Sequence, residues 1–350
     1  MLFGGKKILA LDIGTSSIKL AELDSSRKGW VLKKFGVVSV SPGWIRDGEI
    51  VDPTSVSQAI VTLVQSARSK RKNVASALFG NGVIVKRISM APIEENLISE
   101  AVKWEAEQYI PFDINEASID HHVLRGHSRS VGENLDILLI GAKQEYVYRF
   151  IETIESAGLK CAIVDVSGFA LANCFEANYG QLEGVTALLN IGAGVTNLVI
   201  VEKGDVIFSR DSTVGGSTYT NELHKAMGVS IQEAESLKIS ASAGHEVPAE
   251  VNAILTSTTE QVVDEIRTAI EFFVATGGGG RINKMYVTGG SMFIPSLLEE
   301  ISKAVGVPFE VLNPFQQVGY DAKELTPDYI QQIQSICPVA LGLAMRDMKE

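Results

Sequence analysis

Residues 9–23 read LALDIGTSSIKLAEL, and this stretch decides the fold. An apolar run ends at Asp12, Gly14-Thr15-Ser16-Ser17 makes a tight turn, and a second apolar run returns from Ile18. The pattern predicts two antiparallel strands joined by a turn of small residues. Small residues let the backbone come close to a ligand, and successive amides in such a turn point at one anion. Asp12 stands where strand gives way to turn. A carboxylate there repels a bare phosphate but suits a hydrated magnesium ion. An ordinary hairpin with a glycine turn has the same appearance, so the stretch needs a second observation beside it.

Residues 187–201, ALLNIGAGVTNLVIV, supply it. They overlay the first stretch without a gap, pairing Asp12 with Asn190, Ile13 with Ile191, Gly14 with Gly192 and Leu20 with Leu198. An internal repeat sets architecture. Two such hairpins imply two half-molecules of one design facing each other across a cleft, with both phosphate-holding turns meeting at one nucleotide.

Size and composition fit that picture. The 350 residues are enough for about two domains. With 45% hydrophobic and 21% charged residues, large buried cores are feasible and global disorder is excluded. A formal charge of −11 argues against non-specific binding to nucleic acid or to anionic lipid. The basic run Ser69-Lys70-Arg71-Lys72 is expected to be a solvated helix end. Cys161, Cys174 and Cys337 are sparse and unpaired by any CxxC, which fits a reducing compartment without a zinc site. His121-His122 has no ligand partner at metal-binding spacing and is expected to be one strand position and one surface position. The opening MLFGGKK lacks the apolar core of a signal peptide, and no window has the length of a membrane span. A soluble, cytoplasmic chain is expected.

In chain order, residues 7–13, 18–24 and 30–39 form a three-strand meander with a second turn at 24–29, broken by Pro42-Gly43. Asp52-Pro53-Thr54 starts a helix with Val56, Ile60 and Val64 on its apolar face. A strand over 74–79 closes at Gly80-Asn81-Gly82. A different unit follows: a strand at 83–89, a helix over 94–109 with Leu97, Ala101, Trp104 and Gln108 on one stripe, and strands at 117–124 and 135–140. A polar loop over 125–134 suits a mobile hairpin tip, and a helix over 144–157 and a strand over 161–166 complete the unit. This order makes a small α+β insert without catalytic residues. Its Trp104, Tyr109, Tyr146 and Tyr148 are expected in the core. Such an insert is a natural place to dock a partner, with the strand at 83–89 and the helix at 94–109 as the suspected groove.

The second half opens with a helix over 168–178. After its hairpin, a strand at 205–210 repeats the meander, and Val214-Gly215-Gly216-Ser217 opens a helix through Met227. Gly215 and Gly216 place amides near phosphate, or they are simply a helix entry. Ser230 caps the next helix with Glu233 in a capping box. Glu235 and Lys238, one turn apart, are either a surface ion pair or a grip on a ribose. A loop at 242–248, a long helix over 255–276 and a flexible connection at 277–280 follow. A buried strand at 284–287 then runs into Thr288-Gly289-Gly290-Ser291, with a helix from near Pro295. A flat base can lie on bare backbone at such a turn. Residues 337–346 are a helix rich in Ala, Gly and Leu that can pack closely on another element.

DIGTSS at 12–17, NIGAG at 190–194 and VTGGS at 287–291 resemble the two phosphate motifs and the adenosine motif of the actin, heat-shock chaperone and sugar-kinase ATPase superfamily. The helices at 165–178 and 337–346 resemble its two interdomain connectors. Within the superfamily the chain is most similar to the PilM family of type IV pilus assembly proteins, and VKWEAEQYIPFDINEASID at 102–120 is the most specific stretch. The resemblance implies an α/β actin-like ATPase fold of two duplicated, RNase H-like halves with a small inserted α+β module. Its implied divisions are subdomain 1A over 1–82 and 161–184, module 1C over 83–160, 2A over 185–228 and 277–336, and 2B over 229–276. A final helix at 337–350 returns to 1A.

The resemblance also implies the ligands ATP and Mg2+. Gly14, Thr15, Ser16, Ser17 and Lys19 would hold one side of the phosphates. Gly192, Ala193, Gly194, Gly215 and Gly216 would hold the other, with Glu235 and Lys238 at the ribose and Gly289, Gly290 and Ser291 at the base. Asp12 would meet the metal through water. Partners follow the same way: a short N-terminal cytoplasmic peptide of the membrane protein PilN beside the insert, further pilus platform proteins, and the pilus motor ATPases. The chain would lie under the inner membrane through those partners. Asn190 departs from the pattern, which has Asp there. An amide keeps the shape but cannot act as a base, so ATP binding with very slow hydrolysis is expected. An FtsA-like polymerising division protein and a small-molecule kinase are the alternatives. The first lacks its amphipathic tail here, and the second lacks a catalytic Asp at position 190.

Overall fold

The computed structural model describes residues 7–26, 29–124, 134–276 and 280–346. The opening residues 1–6, most of the expected hairpin tip at 125–134, most of the connection at 277–280 and the tail at 347–350 lie outside the described residues.

The quoted stretch forms β1 (Leu9–Ile13) and β2 (Ser17–Ser26), paired antiparallel with Asp12 opposite Lys19. β3 (Gly29–Ser39) continues the meander. The run of apolar residues in β1 is nearly unbroken because both faces of its sheet are covered. Leu9, Leu11 and Ile13 enter one core, while Ala10 enters another on the opposite face. Two short strands, β4 (Ile45–Arg46) and β5 (Glu49–Ile50), make a small hairpin. α1 (Pro53–Ser66) starts at Asp52, whose carboxylate accepts from the Ser55 amide at 3.0 Å. β6 (Asn73–Leu78) then lies parallel to β1.

The chain leaves this sheet through the turn Gly80–Gly82 and enters the insert. The insert holds β7 (Val83–Met90), α2 (Ile98–Ala106), β8 (Ala117–Val123) and β9 (Leu135–Lys143), with β9 in the middle of a three-stranded sheet. Its core is formed by Ile88, Ile98, Val102, Ala106, Ile137 and Leu139. The expected stripe of α2 is therefore turned around. Leu97 and Trp104 face outward, Trp104 being 68% exposed, and Ile98, Val102 and Ala106 face inward. The helix is also shorter than 94–109, with a single tight turn at Glu95–Leu97 before it. Tyr148, also expected in the core, is 58% exposed on α3 (Gln144–Ser156). The inner face of α3 brings Phe150 and Ile154 into the core of the first half. β10 (Lys160–Val166) returns to the first sheet beside β6, and α4 (Ser167–Tyr179) follows it at once.

The second half repeats the design. β11 (Val185–Ile191), β12 (Thr196–Glu202) and β13 (Asp205–Ser212) form the meander. α5 (Gly216–Met227), α6 (Ile231–Ser242) and α7 (Ala249–Ala275) follow. Ser230 caps α6 by accepting from the Glu233 amide. α7 begins earlier than the expected 255 because Val251 continues its buried stripe towards Pro248. β14 (Ile282–Thr288) lies parallel to β11. A short turn at Gly290–Phe293 precedes α8 (Leu297–Val305), and β15 (Phe309–Val311) closes the edge. β16 (Gly319–Tyr320) crosses back to β3, followed by α9 (Pro327–Ile333) and α10 (Pro338–Ala344). The short α9, β15 and β16 carry too few periodic residues to be read from the sequence.

The duplication is now visible in the strand orders. The first sheet runs β10-β6-β1-β2-β3-β16 and the second runs β15-β14-β11-β12-β13. In each, an antiparallel meander is extended by two parallel strands on the side of its first strand. α4 and α10 pack together between the sheets, in one core with Ala10 and Ala75 from the first and Leu188 and Val199 from the second. Every residue of α10 is buried, both ends included, and Gly342 makes this possible. A Cβ built there would lie 1.7 Å from the Ala170 carbonyl oxygen.

Candidate functional site

A cleft of about 1340 Å³ opens between the two sheets. Both glycine turns line it, together with residues from 41–47, α5, α6 and the turn after β14. The two hairpin turns are closed in the same way. The Gly14 amide donates to the Ser17 carbonyl at 3.0 Å, and the Gly192 amide donates to the Val195 carbonyl at 3.0 Å. At the tips, the amides of Thr15, Ser16, Ala193 and Gly194 make no hydrogen bond to the protein among the described residues. They are the donors left for an anion.

The duplicated hairpins carry different cross-strand pairs at the same place. In the first, Asp12 Oδ2 lies 3.3 Å from Lys19 Nζ, both side chains mostly buried. In the second, Asn190 Nδ2 donates to Asn197 Oδ1 at 2.8 Å. One turn thus presents a compensated charge pair and the other a neutral amide pair.

Three turns of the second half converge on a single carbonyl. Gly192 O accepts from the Gly216 amide at 3.0 Å and from Ser291 Oγ at 2.8 Å. Ser217 donates its amide to Ala193 O at 2.7 Å, and the Gly215 amide donates to Thr218 Oγ1. The amides of Gly215 and Gly216 are therefore engaged in tying turn to turn. Close approach needs glycine at these points. A Cβ on Gly215 would lie 2.5 Å from Gly192 O, and Gly289, at φ 101°, has Ile191 O where a Cβ would come within 2.2 Å.

Glu235 and Lys238 sit together at the wall of the cleft. Lys238 is 8% exposed, and its ammonium donates to Glu235 Oε2 at 2.6 Å, Thr220 Oγ1 at 3.0 Å and Gly216 O at 3.2 Å. Three donors meet three acceptors, so Lys238 is held by the protein. Thr220 Oγ1 also donates to Glu235 Oε2, which leaves Oε1 of Glu235 as the atom open to a ligand.

Three features of the cleft have no counterpart among the motif residues. Ser167, the first residue of α4, lines the cleft with a buried hydroxyl that has no protein partner among the described residues. Phe293 and Ile239 are 54% and 56% exposed and both line the cleft, one after the Gly289-Gly290 turn and one beside Lys238. Asp211 stands behind Asn197, and burial pushes its carboxyl up to about 6. A serine or phenylalanine in isolation carries no pattern, so only the fold reveals them.

A second cavity, a groove of about 690 Å³, lies between β8 and β9 of the insert, the strand β10 with α4, and the β12–β13 turn. Ile140, Ile163, Phe169 and Val206 give it an apolar floor. Asp165 and Arg346 form a bidentate pair in its wall, at 2.6 and 2.7 Å. The suspected strand at 83–89 reaches it only through Val83, and α2 lies elsewhere. Among the described residues, no helix is long and apolar enough to cross a membrane.

A family model described as type IV pilus assembly protein PilM matches residues 10–348. The chain is similar to a solved PilM-PilN type IV pilus biogenesis complex at 28% identity and TM-score 0.87, covering 98% of this chain and 99% of that one. It is 24% identical to cell division protein FtsA of Streptococcus pneumoniae over 354 residues, 88% of this chain and 76% of FtsA. It shares its fold with MreB5 of Spiroplasma citri bound to ADP, at TM-score 0.52 and 13% identity over 96% of this chain and 94% of that one. The architecture is that of the actin-like ATPases.

Proposed function

The chain belongs to the type IV pilus assembly protein PilM family, and on that premise we propose that it is a nucleotide-binding scaffold of the cytoplasmic pilus platform. The likeness to the PilM-PilN complex over nearly the whole length of both chains carries this reading. ATP is the proposed ligand of the cleft. The tip amides of Thr15, Ser16, Ala193 and Gly194 suit its phosphates, Lys19 adds a cation, and Gly289, Gly290, Phe293 and Ile239 suit the two faces of a base. Glu235 Oε1 accepts from the ribose, with Lys238 holding Glu235 in place.

Magnesium fits the same donors. It keeps most of its waters and takes one or two carboxylates besides phosphate oxygens, and Asp12 is the carboxylate at hand. Bound there, the ion would screen the phosphate charge. Asn190 accepts or donates a hydrogen bond but takes no proton, and Ser167 offers a hydroxyl rather than a base. These residues bind and orient water without activating it, which is the basis for a slow turnover.

The groove is the proposed seat of a PilN N-terminal peptide. β8 is an edge strand of the insert's sheet, and β10 is an edge strand of the first sheet. An extended segment lying between them finds an open strand edge on each side and an apolar floor beneath. Attachment to the inner membrane and to the pilus motor then comes through partners. Calorimetric titration of the protein with a peptide of the PilN cytoplasmic N-terminus, with and without Mg-ATP, tests this. Saturable binding that is stronger with nucleotide supports a nucleotide-set scaffold. Absence of binding in both states removes the PilN assignment.

A further inference from the structure

Residues 78–83 form a wall with a cavity on each side. Phe79 faces the cleft, while Leu78 and Val83 face the groove. This wall is also the entry to the insert, since the Gly80–Gly82 turn runs directly into β7. It is built backbone on backbone. A Cβ on Gly80 would lie 2.2 Å from Asp47 O, and one on Gly48 would lie 2.1 Å from Phe79 O. Tyr146 of α3 bonds the same place, donating to Gly48 O at 2.9 Å and Phe79 O at 3.0 Å.

The second half holds this wall through one row of side chains. Asn190, Asn197 and Asp211 are direct cross-strand neighbours on β11, β12 and β13. Asn190 Nδ2 donates to Asn197 Oδ1 at 2.8 Å, Asn197 Nδ2 donates to Asp211 Oδ1 at 2.7 Å, and the Gly80 amide donates to Asp211 Oδ2 at 2.6 Å. The row spans from the cleft, which Asn190 and Asn197 line, to the root of the insert.

Its polarity is fixed from the far end. A charged carboxylate only accepts and a backbone amide only donates. Asp211 therefore obliges Asn197 to turn its NH2 outward and its carbonyl towards Asn190. Asn190 must in turn give its NH2 to Asn197, which leaves its own Oδ1 for the cleft. A carbonyl oxygen accepts from water or from the shell of a hydrated cation, and it gives nothing to a bare phosphate oxygen.

We propose that Asp211 is a positioning residue that sets the side-chain carbonyl of Asn190 towards the cleft and couples a ligand held there to the wall of the groove. A ligand that pulls on Asn190 Oδ1 tightens or slackens the row, and the row ends on the Gly80 amide at the insert's root. Burial holds the Asp211 carboxyl up at about 6, still charged at neutral pH. The coupling rests on the cleft as a nucleotide site and the groove as a peptide site. The tie itself rests only on the four residues named.

Asp211→Ala tests it by removing both acceptor oxygens. The Gly80 amide and the Asn197 NH2 then lose their partner, whereas an amide at 211 would let Asn197 and Asn190 flip and keep every link with reversed polarity. Asp211→Ser is the second variant if the first folds poorly. Two measurements are made on the full chain: hydrogen exchange of the Gly80 amide without ligand, and the affinity of the PilN N-terminal peptide with and without Mg-ATP. The expected results are exchange at Gly80 faster by about tenfold or more in the variant, and a nucleotide effect on peptide affinity of about fivefold or more in the wild type that falls within about twofold in the variant. Equal nucleotide effects in both proteins, or none in the wild type although both ligands bind, overturn the coupling. Failure of the parent reading looks different, because the wild type then binds no ATP or no peptide. In that case Gly80 exchange decides alone, and rates that match in wild type and variant overturn the tie.

Discussion

Thr15 and Gly194 stand tip to tip across the cleft, so close that a Cβ on Gly194 would lie 2.7 Å from Thr15 Oγ1 and 2.8 Å from its Cγ2. They belong to opposite halves, and their approach sets how near the two turns come. Gly194→Ala should hold the turns apart and weaken Mg-ATP by about tenfold, roughly 1.4 kcal/mol. Unfolding without ligand should change little. A fluorescent-nucleotide titration checks this, and the double variant with Thr15→Gly should recover most of the loss.

Ser167 carries the opposite sign in its two effects. The residue is 5% exposed, and its buried hydroxyl has no partner among the described residues. Ser167→Ala should stabilise the ligand-free protein by about 1 kcal/mol, since a buried polar group without a partner is costly. The same change should weaken Mg-ATP. Urea unfolding with and without nucleotide reads both, and a destabilised ligand-free variant would show that the hydroxyl has a role in the empty fold.

Glu235 is expected to read the ribose through Oε1. Glu235→Gln should weaken ATP by about tenfold, a charge-assisted hydrogen bond being worth roughly 1.5–3 kcal/mol. It should have little effect on an analogue that lacks both ribose hydroxyls. Equal losses for the two nucleotides would assign the effect to Lys238, whose ammonium loses its charged partner.

Asp211 makes stability depend on pH with a definite sign. Burial moves its carboxyl from an ordinary 3.8 up to about 6. Between those values the folded chain holds a proton that the unfolded chain has released. The stabilisation is therefore complete below 3.8 and is lost as pH rises through about 6. Plotted against pH, the Tm of the wild type relative to Asp211→Asn should slope downward through this window and level off above it. A flat difference would mean that the carboxyl is not shifted.

Gly342 leaves no room for a side chain against Ala170. Gly342→Ala should cost about 3 kcal/mol or more, because the contact is with backbone and neither helix can move without opening the core between the sheets. Thermal unfolding measures it.

The duplicated hairpins were legible because a strand–glycine turn–strand leaves the same period and spacing wherever it occurs. The row from Asn190 to Asp211 was legible in principle. The seven-residue offset that pairs Asp12 with Lys19 also pairs Asn190 with Asn197, and one more register step reaches Asp211. Reading it requires counting registers rather than elements. The inserted helix shows the opposite case. Leu97, Ala101 and Trp104 and the rival stripe Ile98, Val102 and Ala106 share one period, so periodicity cannot choose between them. Residue size favoured Trp104, but Gln108 and the neighbouring carboxylates Glu100 and Glu107 mark that side as the wet one. Ser167 and Phe293 became visible only when α4 and the turn after β14 were placed around one cavity.

The seat of α10 against α4 also sets an order of events in time. β1 is made early, yet the helix that seals its inner face is made late, and so is β16, which edges the same sheet. A growing chain that has finished β6 still holds one apolar face of that sheet bare; α4 covers the part over β6 and β10, and the part over β1 and β2 waits for residues 338–344. The two halves therefore cannot mature one after the other as independent domains would. The first sheet's core and its β3 edge are completed only by residues from the far end of the sequence.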